Sequence, residues 1–200
     1  MNIFCLDPEP QVCAEMHLDK HVVKMIIEYA QLMSTAHRVL DGEPYTDKTA
    51  NNRSIQRWRM KDELFEYTLY KASHFNHPSA IWVRKSEENY RWLYRMWQCL
   101  LQEYAYRYNK NHACEKLMHV LYLNPINIPI GEFTEPTPAM PDYCKVPGNS
   151  LQSYHNYYFN EKQLMWSWKG KINSREQPKW LSEMALVELA KLSQELKLEY

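Results

Sequence analysis

A cluster of ionisable side chains lies near the amino terminus, between residues 17 and 24. It combines two imidazoles, one carboxylate and two amines, contributed by His17, Asp19, Lys20, His21 and Lys24. If a helix begins here, its unpaired backbone amides and its dipole already favour a negative charge. Nearby amines strengthen that preference, and imidazoles titrate near neutral pH. The cluster therefore predicts a site that holds a phosphate and moves protons on it.

The cluster continues as a polar stripe along the predicted helix. The side chains that share this face, in steps of four, four, three and four, are Lys20, Lys24, Glu28, Gln31 and Thr35. In our leading hypothesis His17 and His21 act as general acid and base on a phosphodiester, while Lys24 stabilises the charge that develops on phosphorus. Lys20, Glu28 and Gln31 would bind the substrate. This chemistry requires neither a metal ion nor another cofactor.

The same residues allow simpler interpretations. The stripe is also typical of a solvated helix face, because Lys24 and Glu28 are spaced for an ordinary i,i+4 ion pair. Cys13 is the thiol nearest to the histidines in sequence and could act as a nucleophile, although buried cysteines are commonly inert.

A metal site is a further alternative. His17 and His21 are four residues apart, and Asp19 with a distant His77 or His112 could complete a ligand set. Against this, the residue after the first histidine is leucine, where an HExxH motif has glutamate.

A second concentration of polar groups lies around a proline. Asn76 and His77 precede Pro78, and Arg84 follows that proline in the same segment. If this segment faces the first helix, Asn76 and His77 could bind a base or phosphate, and Arg84 could hold an anion with its planar guanidinium. The alternative is a capped helix start with Trp82 in the core.

Composition indicates one folded domain spanning residues 1–200. Hydrophobic residues make up 45% of the chain and aromatic residues 14%, which is enough apolar surface for a core. Lysine plus arginine equals aspartate plus glutamate at 24 each, so any anionic ligand must be held by a local cluster. Five cysteines without a CxxC pair indicate free thiols in a reducing cytosol. We find no signal peptide or membrane-spanning run, so we expect a cytoplasmic protein with no membrane partner.

Helical periodicity predicts an all-α fold, a single compact domain around two long helices. The first covers about residues 19 to 40, with Asp19 as its N-cap and Gly42 after its end. Ser86 opens the second, which runs to Tyr108. Shorter helical segments are predicted at 7–16, 54–67, from Pro78, and at 112–122, 150–167 and 180–198. Residues 41–53 are expected to form a surface loop, and residues 124–149, with six prolines, a long ordered loop that could cover a binding site.

Some of these motifs resemble known proteins. The segment from His17 to Met25, with Asn76-His77-Pro78 and the segment 89–93, resembles a family of small phage-encoded proteins. More faintly, the order of an amino-terminal tip, a His-bearing helix and a second long helix resembles the phage pyrimidine-dimer glycosylase family, endonuclease V. That resemblance implies an endonuclease V-like fold, an amino-terminal nucleophile and a catalytic glutamate on the first long helix. Lys24 stands where that glutamate is expected and Glu28 lies one turn further, so the resemblance implies a shared scaffold with changed chemistry.

Three functions follow as expectations. The first is a metal-independent phosphodiesterase acting on a nucleotide or nucleic acid, in the phage context a counter-defence protein that degrades a cyclic-oligonucleotide immune signal in the cytoplasm of an infected bacterium. The second is a protein that sequesters such a nucleotide without cleaving it. The third is a DNA glycosylase and lyase in which Lys20 or Lys24 attacks as an amine. The expected partner is a nucleotide or cyclic oligonucleotide, with DNA and a homodimer as further options.

Overall fold

Two long helices form the centre of the protein. The computed structural model describes the backbone of residues 1–198 and the side chains of residues 1–194. Helix α2 spans Asp19–Asp41 and helix α5 spans Glu87–Tyr108. They pack against each other through buried apolar faces, and the Trp97 indole N–H of α5 donates to the carbonyl of Ile26 in α2 at 2.9 Å. The short helix α1, Pro10–Met16, packs on α5. The prediction of a mostly helical protein built on two long helices is confirmed.

The ends of these helices follow from particular residues. Gly42 is the C-cap of α2, where a residue with a side chain would not fit because its Cβ would lie only 2.5 Å from the carbonyl oxygen of Arg38. Ser86 caps α5 by accepting a hydrogen bond from the amide of Asn89 at 3.2 Å. Pro78 occupies the first turn of α4, where its missing N–H is not needed. All three signals were visible in the sequence.

The other elements are short apart from the last two helices. The helices are α3 (Glu63–Thr68), α4 (Pro78–Val83), α6 (Met118–Leu121), α7 (Ser150–Glu161) and α8 (Lys179–Leu198). Turns of 3-10 helix lie at Ala113–Leu117, Asp142–Cys144 and Gln163–Met165. In the part of the chain that the structure describes, no helix combines the length and apolar character that crossing a bilayer requires.

A β-hairpin departs from the all-α prediction. Strand β1, Glu43–Lys48, pairs antiparallel with β2, Ser54–Arg59, in a region predicted as a loop followed by a helix over 54–67. Only the end of that predicted helix forms, as α3. Contacts with residues outside the two strands hold the hairpin in place. Arg57 donates to the carbonyl of Ala72 at 2.7 Å, and Trp58 packs edge-on against Phe75 with ring centroids 4.8 Å apart. Tertiary contacts therefore decide this element.

Asp19 is not the N-cap of α2 but its first residue, and Leu18 occupies the cap position. The Asp19 carboxylate instead accepts hydrogen bonds from Arg107 at 2.9 Å, from the hydroxyl of Ser167 at 2.6 Å and from the amide of Gly170 at 3.2 Å. These bonds fix the segment after α7 across the start of α2. The helix predicted over 150–167 therefore ends at Glu161, and the following residues form a strap.

The proline-rich segment 124–149 is an ordered loop, as predicted. Asp41 at the end of α2 accepts from the amides of Ile126 and Asn127 at 2.8 and 2.9 Å. Asn89 accepts from the amide of Thr134 at 2.8 Å. Further along, the carbonyl of Ala139 accepts from the side chain of Asn2 at 2.8 Å. The loop is thus tied to both long helices and reaches the amino-terminal segment.

Candidate functional site

A cleft of about 390 Å³ opens between the amino-terminal segment, the first turns of α2 and the end of α7. The amino-terminal segment is itself buried, since residues 2 to 6 are each at most 8% exposed. The lining residues come from five separate parts of the chain: Met1, Asn2, Phe4, Lys20, His21, Lys24, Met25, Glu28, His77, Ala139, Tyr157, Lys162 and Met165. We refer to it as the amino-terminal cleft.

The structure brings together five of the residues that the sequence marked as candidates. Those that line the amino-terminal cleft are Lys20, His21, Lys24, Glu28 and His77. Those that do not are His17, Gln31, Asn76 and Arg84. The expectation that the segment around Pro78 faces the first helix is met for His77 alone.

His21 is held in one orientation by a buried tyrosine. Its Nδ1 lies 2.6 Å from the hydroxyl of Tyr158, and its ring stacks on Phe4 with centroids 4.2 Å apart. Burial, aided by nearby positive charges, lowers the pKa of His21 to about 2, and burial raises the pKa of Tyr158 well above its usual value. Tyr158 has no other acceptor among the described residues, so its proton points at Nδ1. The neutral imidazole therefore carries its own proton on Nε2, the nitrogen left for a ligand.

His77 shows the same pattern from a different element. As the N-cap of α4 its Nδ1 accepts from the amide of Ser79 at 3.2 Å, which again leaves the ring proton on Nε2. Burial lowers the pKa of His77, the amino terminus lowers it further, and Glu28 opposes both. The cleft thus presents two neutral imidazoles that donate through Nε2.

Three lysines and one carboxylate set the charge of the cleft lining. Lys24 Nζ lies 3.2 Å from Glu28 Oε1, with the lysine side chain 69% exposed and the glutamate 15% exposed. Lys162 donates to the hydroxyl of Tyr157 at 3.0 Å and lies over its ring. Lys20 is exposed. Because positive groups outnumber the single lining carboxylate, the cleft is suited to an anion.

His17 lies in the core and not in the cleft. Its side chain is fully buried, Nδ1 lies 2.7 Å from the carbonyl of Cys13, and Nε2 has no partner among the described residues. Burial lowers its pKa to about 4. The ring contacts the same aromatic cluster as His21, at a centroid distance of 6.3 Å. His17 therefore packs next to His21 on the core side. In this buried position its ring is not placed to transfer a proton to a ligand in the cleft.

Two amides at the start of α2 are already paired within the protein. The amide of Asp19 donates to the carbonyl of Ser167 at 2.8 Å, and that of His21 donates to the carbonyl of Leu18 at 2.8 Å. These two amides are therefore not free to bind an anion, and the anion site at the helix terminus stays a prediction. The cleft lining itself contributes lysine and imidazole side chains.

The other three candidates lie outside the cleft. Arg84 donates to the carbonyl of Phe75 at 2.6 Å, which ties the turn before α4 to its end. Asn76 is exposed and lines a neighbouring groove. Gln31 is half-buried further along α2. A structural role accounts for Arg84, while Gln31 and Asn76 are not among the residues that line the cleft.

Sequence reasoning missed the groups contributed by distant segments. Phe4 belongs to an apolar run with no visible chemistry, and Tyr157, Tyr158 and Lys162 belong to α7 or its end, about 140 residues from α2. The aromatic richness of α7 is visible in the sequence, but nothing in it indicates which ring meets His21.

The structure also shows where the ligands considered for a metal site lie. Among the described side chains, no group of three or more His, Cys, Asp or Glu residues is arranged to hold a metal ion. The carboxylate of Asp19, one ligand of the metal hypothesis, instead accepts hydrogen bonds from Arg107, Ser167 and the amide of Gly170. His17, His21 and Asp19 with His77 or His112 therefore do not form a ligand set in this part of the chain.

Two further clefts lie along the exposed face of α5 and share Arg95 and Gln98. They have volumes of about 370 and 450 Å³ and contain none of the candidate residues. Arg91 at their edge is paired with Glu87 and Glu88. Its paired charges are typical of a solvated helix face.

Comparison with known proteins adds no family to this picture. No protein-family model, curated protein or solved structure matches the chain. The resemblances to a phage-encoded family and to endonuclease V therefore stay predictions, and the functional argument rests on the geometry of the amino-terminal cleft.

Proposed function

We propose that the amino-terminal cleft binds a phosphate group of a nucleotide or nucleic acid. One observation carries this proposal: five candidate residues from positions 20 to 77 converge on one cleft, and Lys162 joins them from the far end of the chain. Ammonium groups and imidazole N–H donors are the groups that proteins use to hold phosphate oxygens.

The size and lining of the cleft also suit a nucleotide. A volume of about 390 Å³ falls in the range of ordinary ligand sites. Tyr157 contributes a half-buried ring next to the ammonium of Lys162, whose Nζ lies 4.2 Å from the ring centroid. Met165 adds partly exposed apolar surface. We propose that the phosphate of the nucleotide binds to the lysines and that its base packs against this surface.

Calorimetric titration tests the binding proposal. The probes are a nucleoside triphosphate, a cyclic dinucleotide and a cyclic trinucleotide, which together include the immune-signal chemistry expected from the sequence. We expect at least one of these probes to bind. The double substitution Lys20→Ala and Lys24→Ala should weaken the affinity for that probe by about tenfold or more, since each charged hydrogen bond contributes about 1.5–3 kcal/mol. The matched control is Lys110→Ala with Lys116→Ala, two exposed lysines outside the cleft. Equal weakening by both pairs would count against the proposal.

Phosphodiester cleavage without a metal is a second proposal for the same cleft, favoured by the position of Glu28. This carboxylate lines the cleft together with Lys24 and His77, and its oxygens are acceptors, whereas the two imidazoles donate through Nε2. Glu28 would take the proton of a ribose hydroxyl, whose oxygen attacks phosphorus. The bond to the leaving oxygen then breaks, and that oxygen takes a proton from a lysine ammonium of the cleft. This scheme replaces the acid–base pair His17 and His21.

The Glu28→Gln variant separates cleavage from binding. Removing the carboxylate removes a negative charge, so we expect an anionic ligand to bind at least as tightly as before. Cleavage products, followed by chromatography, would appear with the wild-type protein and not with the variant. Recovery of intact ligand from the wild-type complex after denaturation would support sequestration and end the cleavage proposal.

A further inference from the structure

A second groove lies against strand β2 of the hairpin, next to the amino-terminal cleft. It has a volume of about 410 Å³ and is lined by Ile55, Gln56, Ala72, Ser73, His74, Phe75, Asn76 and His77. His77 lines both spaces, so they are adjacent on the protein surface. We call the second space the hairpin groove.

The hairpin groove differs in chemistry from the amino-terminal cleft. Its lining is largely apolar, with Ile55 from β2 and the ring of Phe75, which is fixed by edge-on contact with Trp58 at 4.8 Å. The amide side chains of Gln56 and Asn76 lie at its border. A flat, partly apolar surface with amide groups is suited to the face and edge of a nucleobase.

The hairpin beside this groove is positively charged, although the whole chain is neutral. Residues 43–61 contain five cations, Lys48, Arg53, Arg57, Arg59 and Lys61, and two acids, Glu43 and Asp47. Lys61 pairs with Glu43 at 3.2 Å, whereas no described carboxylate pairs with Arg53, Arg57 or Arg59. Arg53 directly precedes β2, and Arg57 and Arg59 lie within it, the strand that supplies Ile55 and Gln56 to the groove. Such spacing is suited to a ligand that carries several phosphates.

We propose that the two spaces form one binding track for a single-stranded nucleic acid. The inference rests on the proposed function, since it assigns one phosphate to the amino-terminal cleft. His77 lies between that phosphate and the next base, which occupies the hairpin groove against Phe75. Arg53 and Arg57 contact the backbone of the following nucleotides. A single strand fits because its bases are free to turn into the groove, while those of a duplex are stacked and paired.

Fluorescence anisotropy with labelled probes tests this track. The probes are a nucleoside triphosphate, single-stranded DNA and RNA of about ten nucleotides, and the same DNA as a duplex. We expect either single strand to bind more tightly than the triphosphate and the duplex, with a steeper dependence of affinity on salt. The two single strands distinguish DNA from RNA as the preferred polymer.

Two hairpin variants test whether the arginines of the hairpin contact the backbone of the single strand. Arg53→Ala removes an exposed side chain, and we expect the salt slope for the single strand to fall by about 1, the change for one lost phosphate contact, with triphosphate binding unchanged. Arg57→Ala should act in the same direction, with a melting curve to check the hydrogen bond that it loses at Ala72. Arg91→Ala, on α5, is the control and should change nothing.

These measurements distinguish failure of the binding track from failure of the proposed function on which it rests. Triphosphate binding with no gain for the single strand, or no effect of Arg53→Ala, would overturn the track and leave the proposed function standing. Duplex binding as tight as single-strand binding would overturn the single-strand assignment. If no probe binds, the proposed function fails and the track fails with it.

Discussion

The hydroxyl of Tyr158 lies 2.6 Å from Nδ1 of His21, although the two residues are 137 positions apart. This bond fixes which imidazole nitrogen faces the amino-terminal cleft. It also couples the cleft to the core, because the same tyrosine ring contacts Phe4 and His17. The chemistry of His21 is therefore set by α7 and not by the helix on which it lies.

Replacing Tyr158 with phenylalanine tests this coupling. The buried Nδ1 of His21 would lose its partner, so we expect a loss of about 1–3 kcal/mol in the free energy of unfolding and a mixture of the two neutral tautomers. Nitrogen-15 NMR of the imidazole reports the tautomer, and chemical denaturation reports the stability. Tyr90→Phe, which removes the partner of His37 at 2.8 Å, is the matched control and should leave the His21 tautomer unchanged.

Protonation of buried histidines should make the protein acid-sensitive. The pKa of His17 and of His37 is lowered to about 4 and that of His21 to about 2, in each case mainly by burial. The unfolded chain, with a histidine pKa of about 6.5, then binds more protons than the folded chain between pH 6.5 and 4, so stability falls as the pH falls through this window. Each histidine contributes a slope of up to about 1.4 kcal/mol per pH unit.

Urea unfolding at pH 7.5, 6 and 5 measures that slope. We expect a flat profile above pH 7 and a steady loss of stability below about pH 6.5. His37→Gln should reduce the slope by up to about 1.4 kcal/mol per pH unit, because it removes one titrating group far from the cleft. A profile that is flat from pH 7.5 to 5 would show that these imidazoles are accessible in the folded protein.

His17 and His21 should respond differently to mutation, in contrast to their paired roles in the first hypothesis. His17→Ala would leave a cavity in the core and lower the melting temperature, while the folded protein keeps its affinity for a nucleotide within about threefold. His21→Ala should weaken nucleotide binding more than it lowers the melting temperature. The two variants are compared by thermal melts and titration calorimetry. Loss of binding without loss of stability in His17→Ala would restore the original assignment.

The ion cluster around Arg107 should be the most sensitive polar site for stability. Arg107 is fully buried and donates to Glu103 at 2.6 Å, to Asp19 at 2.9 Å and to the carbonyl of Glu15 at 2.9 Å. Arg107→Met would leave the buried carboxylate of Glu103 with Arg175 alone, and we expect a loss of about 3–5 kcal/mol in unfolding free energy. Arg91→Ala breaks exposed pairs and should change stability by less than about 1 kcal/mol. Equal effects of the two substitutions on the denaturation midpoint would contradict this ranking.

The two long helices could be predicted because their signals are local. Apolar spacing defines the buried faces of α2 and α5, while Gly42 and Ser86 mark helix ends by backbone geometry and side-chain capping. The hairpin was missed for the opposite reason. Its strands are mostly exposed and polar, and they are held by Arg57 and Trp58 through contacts with residues 72 and 75.

Part of the candidate site could also be predicted from local signals in the sequence. Lys20, Lys24 and Glu28 were found because one helical face brings them together. His17 was expected to act beside that face as one of the acid–base pair, but its ring turns into the core. Lys162 joins the site only through the packing of α7, which no local pattern encodes.

Titration of nitrogen-15-labelled protein with a nucleoside triphosphate, followed at the imidazole nitrogens, tests the central claim most directly. If the amino-terminal cleft holds the phosphate, the Nε2 signals of His21 and His77 shift together and saturate at one concentration. The signals of His37 in the core and His119 in α6 should stay fixed, since neither lines the cleft. Saturating binding that leaves His21 and His77 unmoved, or that shifts His119 equally, would contradict the account.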